Sequence, residues 1–193
     1  MAGHVRYTAL LDACVLFPIA VADSLMSLAT AGLFAAKWTQ CIEQEWITNL
    51  EALRPDLAGR LEVRRDGMRG VVLDWEVPES AWTPLVENMS LPDPDDKHVL
   101  AAAIAGHADC IVTANLKDFP AEIVGPYGIE IIHPDRFIIN QWDLDYIATM
   151  SAFKGMRRRW RNPKASPEDF AQALERNGLP ATAQRIREAA ELI

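Results

Sequence analysis

The chain has 193 residues, half of them hydrophobic and 24% charged, which is the profile of an ordinary globular domain long enough to bury a full core. A formal net charge of -8 disfavours non-specific attraction to nucleic acid. No apolar run approaches the ~18 residues of a membrane span, and the segment from Met1 to Arg6 lacks the features of a secretory leader, so a cytoplasmic location without membrane contact is expected.

In chain order, residues 7–12 form an apolar run that predicts a strand buried on both faces, the kind found in parallel sheets. Helices are expected over 19–31 and over 39–53, where Ile42, Trp46, Ile47 and Leu50 recur at helical spacing. An amphipathic basic helix is predicted over 57–69, a short strand over 71–73 and a short helix over 82–89. An alanine-rich helix over 94–107 leads to strands over 110–113 and 129–133. This alternation predicts an α/β fold, a three-layer α/β/α domain with a parallel central sheet. From about Gln141 only helical patterns remain, so residues 1–140 are read as one domain and 141–193 as a C-terminal helical extension. Within that extension Asn162 to Ala165 reads as a linker. Ser166-Pro167-Glu168-Asp169 is a strong helix start, Gly178 a stop and Pro180 a new start.

The acids carry the chemistry. Asp12 ends the first predicted strand, and ligands of open α/β sheets bind beyond the carboxyl ends of the strands. An unpaired charge is costly in such a setting, so its presence asks for compensation. Asp93-Pro94-Asp95-Asp96 opens the alanine-rich helix. A purely structural reading makes Asp93 the N-cap, Pro94 the first helical residue and Asp96 the reciprocal capping acid. Against it, Asp96 shares a helical face with Val99, Leu100, Ala103 and Ile104, the stripe that must pack on the sheet, which aims it towards Asp12. Glu43 and Glu45 lie on different sides of the second helix, and spacing does not choose between them. Thr113, Asn115 and Asp118 sit at the end of the next strand, where turn and cap roles compete with ligation. Cys14, Cys41 and Cys110 read as small buried hydrophobes, and with His4, His98, His107 and His133 they make no zinc spacing. Convergent carboxylates without histidine or cysteine suit a hard cation, Mg²⁺ or Mn²⁺, which would serve hydrolysis of a phosphodiester.

These residues resemble the PIN-domain nucleases, in particular the VapC-type toxins of toxin–antitoxin pairs. The resemblance runs over roughly residues 5–140. It rests on Leu10-Leu11-Asp12-Ala13-Cys14-Val15-Leu16, on Glu45 about thirty residues later, and most specifically on Asp93-Pro94-Asp95-Asp96-Lys97-His98 continuing through Asp109-Cys110-Ile111-Val112-Thr113-Ala114-Asn115-Leu116-Lys117-Asp118-Phe119. It implies a metal-dependent endoribonuclease with Asp12, Glu45, Asp96 and Asp118 as catalytic and metal-binding acids, supported by Thr113, Asn115 and Asp93. It also implies an RNA substrate, a cognate antitoxin protein, and products with a 5′-phosphate and a 3′-hydroxyl. Oligomeric state, a homodimer included, stays open. One departure is Asn115, where many members carry an acid. A haloacid-dehalogenase-like phosphatase is the enzymatic alternative, weakened because Cys14 stands where that family has its second acid. A non-catalytic PIN-like binding module is the other.

The run Lys154-Gly155-Met156-Arg157-Arg158-Arg159-Trp160-Arg161 has three readings. It is a solvated helix end, a patch that contacts RNA phosphates through Arg157, Arg158 and Arg159 with Trp160 stacking on a base, or a grip on an acidic antitoxin segment.

Overall fold

The computed structural model describes residues 6–161 and 164–193. In chain order it runs through β1 (Thr8–Leu11), α1 (Ala13–Leu16), α2 (Ile19–Thr30), β2 (Ala35–Lys37), α3 (Gln40–Leu53), α4 (Leu61–Val71), α5 (Glu79–Val86) and α6 (Lys97–Ala105). It continues with β3 (Cys110–Val112), α7 (Ala121–Val124), β4 (Glu130–Ile132), α8 (Pro134–Leu144), α9 (Tyr146–Arg159), α10 (Pro167–Arg176) and α11 (Pro180–Glu188). The strands form one parallel sheet in the order β2-β1-β3-β4, with Leu10 opposite Lys37, Leu11 opposite Val112 and Val112 opposite Ile132. This is the expected three-layer α/β/α arrangement, followed by C-terminal helices. Among the described residues no helix is long and apolar enough to cross a membrane.

The central strands are apolar because both faces are covered: Ala9, Leu10, Leu11, Cys110, Ile111 and Val112 are all fully buried. β2 escaped the sequence reading because Ala35-Ala36-Lys37 is short and has neither β-branched nor aromatic residues. The strand expected over 71–73 is absent. Val71 instead closes α4, and the isolated parallel bridge forms between Trp38 and Glu76. Val71 and Leu73 are exposed, so no sheet face is there to reward an extended conformation. The helix expected from residue 57 starts at Leu61, after a 3₁₀ turn over Pro55–Leu57 and a left-handed Gly59 with φ 71°. Two of the three arginines of α4 pack on aromatic rings: Arg64 lies over the Trp46 ring at 4.7 Å and Arg69 over Trp75 at 4.6 Å.

By packing, the chain divides into two compact units. Residues through Phe17 together with Phe34–His133 make the first, and Pro18–Leu33 with Pro134–Ile193 make the second. The expected boundary at residue 140 therefore falls inside α8, and α2 groups with the C-terminal helices. In the second unit α8 and α11 are joined by Asp135, whose carboxylate accepts from Ala181 N at 2.8 Å, Thr182 N at 2.9 Å and Thr182 Oγ1 at 2.7 Å. α11 has no cap from its own N-terminal residue, so Asp135 supplies one across the fold. Asn162 of the predicted linker lies outside the described residues, as does His4.

Candidate active site

The site lies in the first unit, where the sheet's carboxyl edge meets the head of α6. Asp12 follows β1 and continues the ladder, donating its N–H to Val112 O at 3.2 Å. Its side chain is 3% exposed, and its Oδ2 accepts from Thr113 Oγ1 at 2.6 Å and from Cys14 Sγ at 3.1 Å. Both bonds landing on one oxygen fix the rotation of the carboxylate. Burial raises its proton affinity above the usual value, the Thr113 and Cys14 bonds pull it back, and the charge of Glu45 raises it again, with a net upward shift. The Cys14 thiol is pushed up to about 12 by burial and by the Asp12 charge, so it remains a neutral donor. Cys14 also accepts from Ala114 N at 3.2 Å, which makes it a polar link rather than the small buried hydrophobe expected. Cys41 departs further from that expectation, being exposed, whereas Cys110 is buried as expected.

Asp96 ends a 3₁₀ turn over Pro94–Asp96 that leads into α6. Asp93 does cap this turn, accepting from Asp95 N at 2.9 Å, but Asp96 makes no reciprocal capping bond. Its carboxyl is pushed up to about 7, first by burial and then by the charges of Asp12, Asp93, Asp118 and Glu45. The charges that raise Asp96 most are thus all acids. Elements far apart in the sequence bring them there: the end of β1, the middle of α3, the head of α6 and the 3₁₀ turn Leu116–Asp118.

The two glutamates of α3 separate cleanly. Glu43 is buried and neutralised, accepting from Trp38 Nε1 at 2.9 Å and forming an ion pair with Arg69. Glu45 is half-buried, faces Asp12 and Asp96 electrostatically, and approaches His98 Nε2 with its Oε2 at 3.5 Å. Burial alone would lower the His98 imidazole, but the neighbouring Cys41 and Glu45 outweigh that and push it up to about 10. His98 was passed over in the sequence because an isolated histidine carries no spacing signal. Its signal is its place two residues after Asp96. Asn115 is exposed, with its N–H donated to Thr113 Oγ1 at 3.0 Å, so Thr113 links the Asn115 backbone to the Asp12 carboxylate.

Among the described residues no three His, Cys, Asp or Glu side chains stand in a geometry that would enclose a metal ion. The acids instead form a looser group of hard oxygen donors with excess negative charge. That donor set fits a divalent cation retaining several waters, as Mg²⁺ does, better than a fully protein-enclosed ion. Of the basic run, Arg157 and Arg159 are engaged within the second unit, whereas Arg158 is exposed and enters no ion pair among the described residues; Arg159 is exposed as well.

Comparison with known proteins identifies the family. Residues 8–117, more than half of the chain, match the family model described as PIN domain, and residues 134–188 match the one described as VapC50 C-terminal domain. A protein of Mycobacterium tuberculosis (strain ATCC 25618 / H37Rv) named "Putative ribonuclease VapC50" is 43% identical over 79 residues. That match covers 41% of this chain and 47% of the relative, so the chain spans about half the length of the curated relative it matches. No solved structure matches it significantly.

Proposed function

The chain belongs to the PIN-domain family, and on that premise we propose that it is a metal-dependent endoribonuclease acting as the toxin of a toxin–antitoxin pair. The observation that carries this reading is the electrostatic coupling of Asp12, Glu45 and Asp118 to Asp96, with Asp12 at the carboxyl edge of the parallel sheet. The similarity to a relative named as a ribonuclease supports RNA as substrate.

In this reading Asp12 and Asp96 hold Mg²⁺ or Mn²⁺ directly, and Glu45 and Asp118 complete the acidic pocket. When bound, the cation would neutralise charge developing on phosphate oxygens and acidify a water. Thr113 and Cys14 hold the Asp12 carboxylate in one orientation, and Asn115 steadies Thr113 through its backbone N–H. Asp93 stabilises the turn that presents Asp96. Glu43 has a structural role only, since Arg69 consumes its charge. The products would carry a 5′-phosphate and a 3′-hydroxyl, and the antitoxin would be a separate cognate protein.

The test is cleavage of cellular RNA with Mg²⁺, with Mn²⁺ and with EDTA, by the parent chain and by Asp12→Asn and Asp96→Asn. Cleavage should require the cation and vanish in both variants while circular dichroism stays unchanged. Metal-dependent cleavage that survives either substitution would overturn the site assignment. For the toxin reading, expression should arrest growth, and co-expression of a small protein encoded immediately upstream should restore it.

A further inference from the structure

The basic run at the end of α9 is not one uniform patch. Arg157 donates Nη1 to Ala165 O and Nη2 to Ile193 O, each at 2.8 Å, which ties the end of α9 to two later segments. Arg159 pairs with Asp23 at 2.5 Å and donates to Ser27 Oγ at 2.8 Å. Arg157 is thus held in place by neutral carbonyl oxygens and keeps its charge, whereas the charge of Arg159 is paired with Asp23. Arg158, Arg161 and Lys164 are exposed and enter no ion pair among the described residues. An antiparallel bridge between Arg161 and Lys164 holds the last two side by side.

These three residues, with Arg157 and Trp160, line a pocket of about 170 Å³. That is several times the share of liquid volume taken by one water, enough for a phosphate group. Every lining residue is a cation except the one indole. The Trp160 ring is half-buried and set at 85° to the buried Phe170 ring, centroids 5.0 Å apart, so its orientation is fixed before any ligand arrives. In a chain with a net charge of -8, such a concentration of positive charge calls for an anion. A phosphate ester alone would need only the cations. An immobilised indole among them adds a surface for a planar base, and cations beside an aromatic ring are the combination that holds single-stranded nucleic acid.

We propose that this pocket is a single-stranded RNA subsite, in which Arg158, Arg161 and Lys164 hold backbone phosphates and Trp160 stacks on a base. The proposal rests on the ribonuclease reading for its substrate class. It narrows the expected contact from Arg157, Arg158 and Arg159 to Arg158, Arg161 and Lys164, with Arg157 as the positioning residue.

The experiment is fluorescence anisotropy with a short, labelled oligouridylate in EDTA, which withholds the cation that cleavage needs, across a salt series. Replacing Arg158, Arg161 and Lys164 together by Gln should weaken binding about tenfold or more at low salt and flatten the log–log salt slope by about two. Trp160→Leu should weaken binding about tenfold at unchanged slope, because stacking releases no counterions. Arg159→Gln, outside the pocket, should bind as the parent does. The triple variant changes only exposed side chains, so it remains informative if Trp160→Leu fails to fold. Parent-like affinity and slope in the triple variant, or no binding by the parent itself, would overturn the proposal. So would loss of binding to a labelled poly-glutamate peptide with RNA binding intact, which would mark a protein-docking surface. Cleavage with Mg²⁺ is scored separately. A chain that binds the probe through this pocket yet cleaves no RNA would sink the ribonuclease reading and leave the subsite standing.

Discussion

At the scale of single residues, Asp96 sets the pH behaviour of the cation-free protein. Between the ordinary value of 3.8 and about 7, the folded chain keeps a proton that the unfolded chain has released. Its contribution to stability is therefore greatest below 3.8 and declines as pH rises to about 7. Asp12, shifted in the same direction, adds to the decline. His98, raised from 6.5 to about 10, extends the loss to higher pH. The melting temperature in EDTA should fall from pH 5 to pH 8, and Asp96→Asn should flatten the part below pH 7. A profile that rises over that range, unchanged by the substitution, would contradict the crowding of these acids. Thr113 is the second residue-scale test. Thr113→Val removes the 2.6 Å donor to a buried carboxylate and should cost about 1.5–3 kcal/mol once Asp12 is ionised. It should also shift the acid limb of any cleavage profile upward, because the lost bond favours the ionised form. Thr113→Ser, which keeps the hydroxyl, should restore both.

At the scale of elements, the second unit depends on two helix ends. Ser166 and Asp169 form the expected reciprocal capping box at the start of α10, and Gly178 ends that helix with φ 81°. Gly178→Ala should cost about 1–2 kcal/mol, the cost of placing a Cβ in the left-handed region. The cap of α11 is less local, since Asp135 reaches it from α8. Asp135→Ala should cost about 2 kcal/mol or more by leaving buried N–H groups unpaired, measured by urea unfolding. Equal stability in that variant would mean that α11 finds other acceptors. The capping box and the Gly178 stop were legible because all their parts lie within a few residues. The Asp135 cap was not, because nothing near Asp135 in the sequence points to a helix that begins at Pro180.

At the scale of the whole molecule, the acidic site links folding to metal. Carboxylates that raise one another's proton affinity are strained without a counter-charge, so Mg²⁺ or Mn²⁺ should raise the melting temperature at pH 7 or above. At a cation concentration a hundredfold above the dissociation constant the gain would be about 2.7 kcal/mol. Asp12→Asn should stabilise the metal-free chain and blunt the response to cation. A natively folded protein whose melting point ignores millimolar cation would argue against a functional metal pocket.

The sequence by itself determined the parallel α/β architecture, through apolar runs alternating with helical periodicity, and the family, through the acids and the Asp109–Phe119 stretch. It also marked Asp12, Asp96 and Asp118 as a set, since carboxylates at the ends of apolar elements are legible without coordinates. Tertiary structure decided the rest. Spacing left Glu43 and Glu45 open because both sit on partly apolar faces of one helix; the fold separates them by delivering Arg69 and Trp38 to Glu43 and the acids to Glu45. It turned Cys14 into a hydrogen-bonding partner of Asp12, and it divided a basic run between one ion pair, bonds to backbone carbonyls and an open pocket. The physical reason is the same in each case. A side chain's charge state and availability depend on partners that arrive from distant segments, such as Arg69 at Glu43 or Asp23 at Arg159, and no local pattern records which partner arrives.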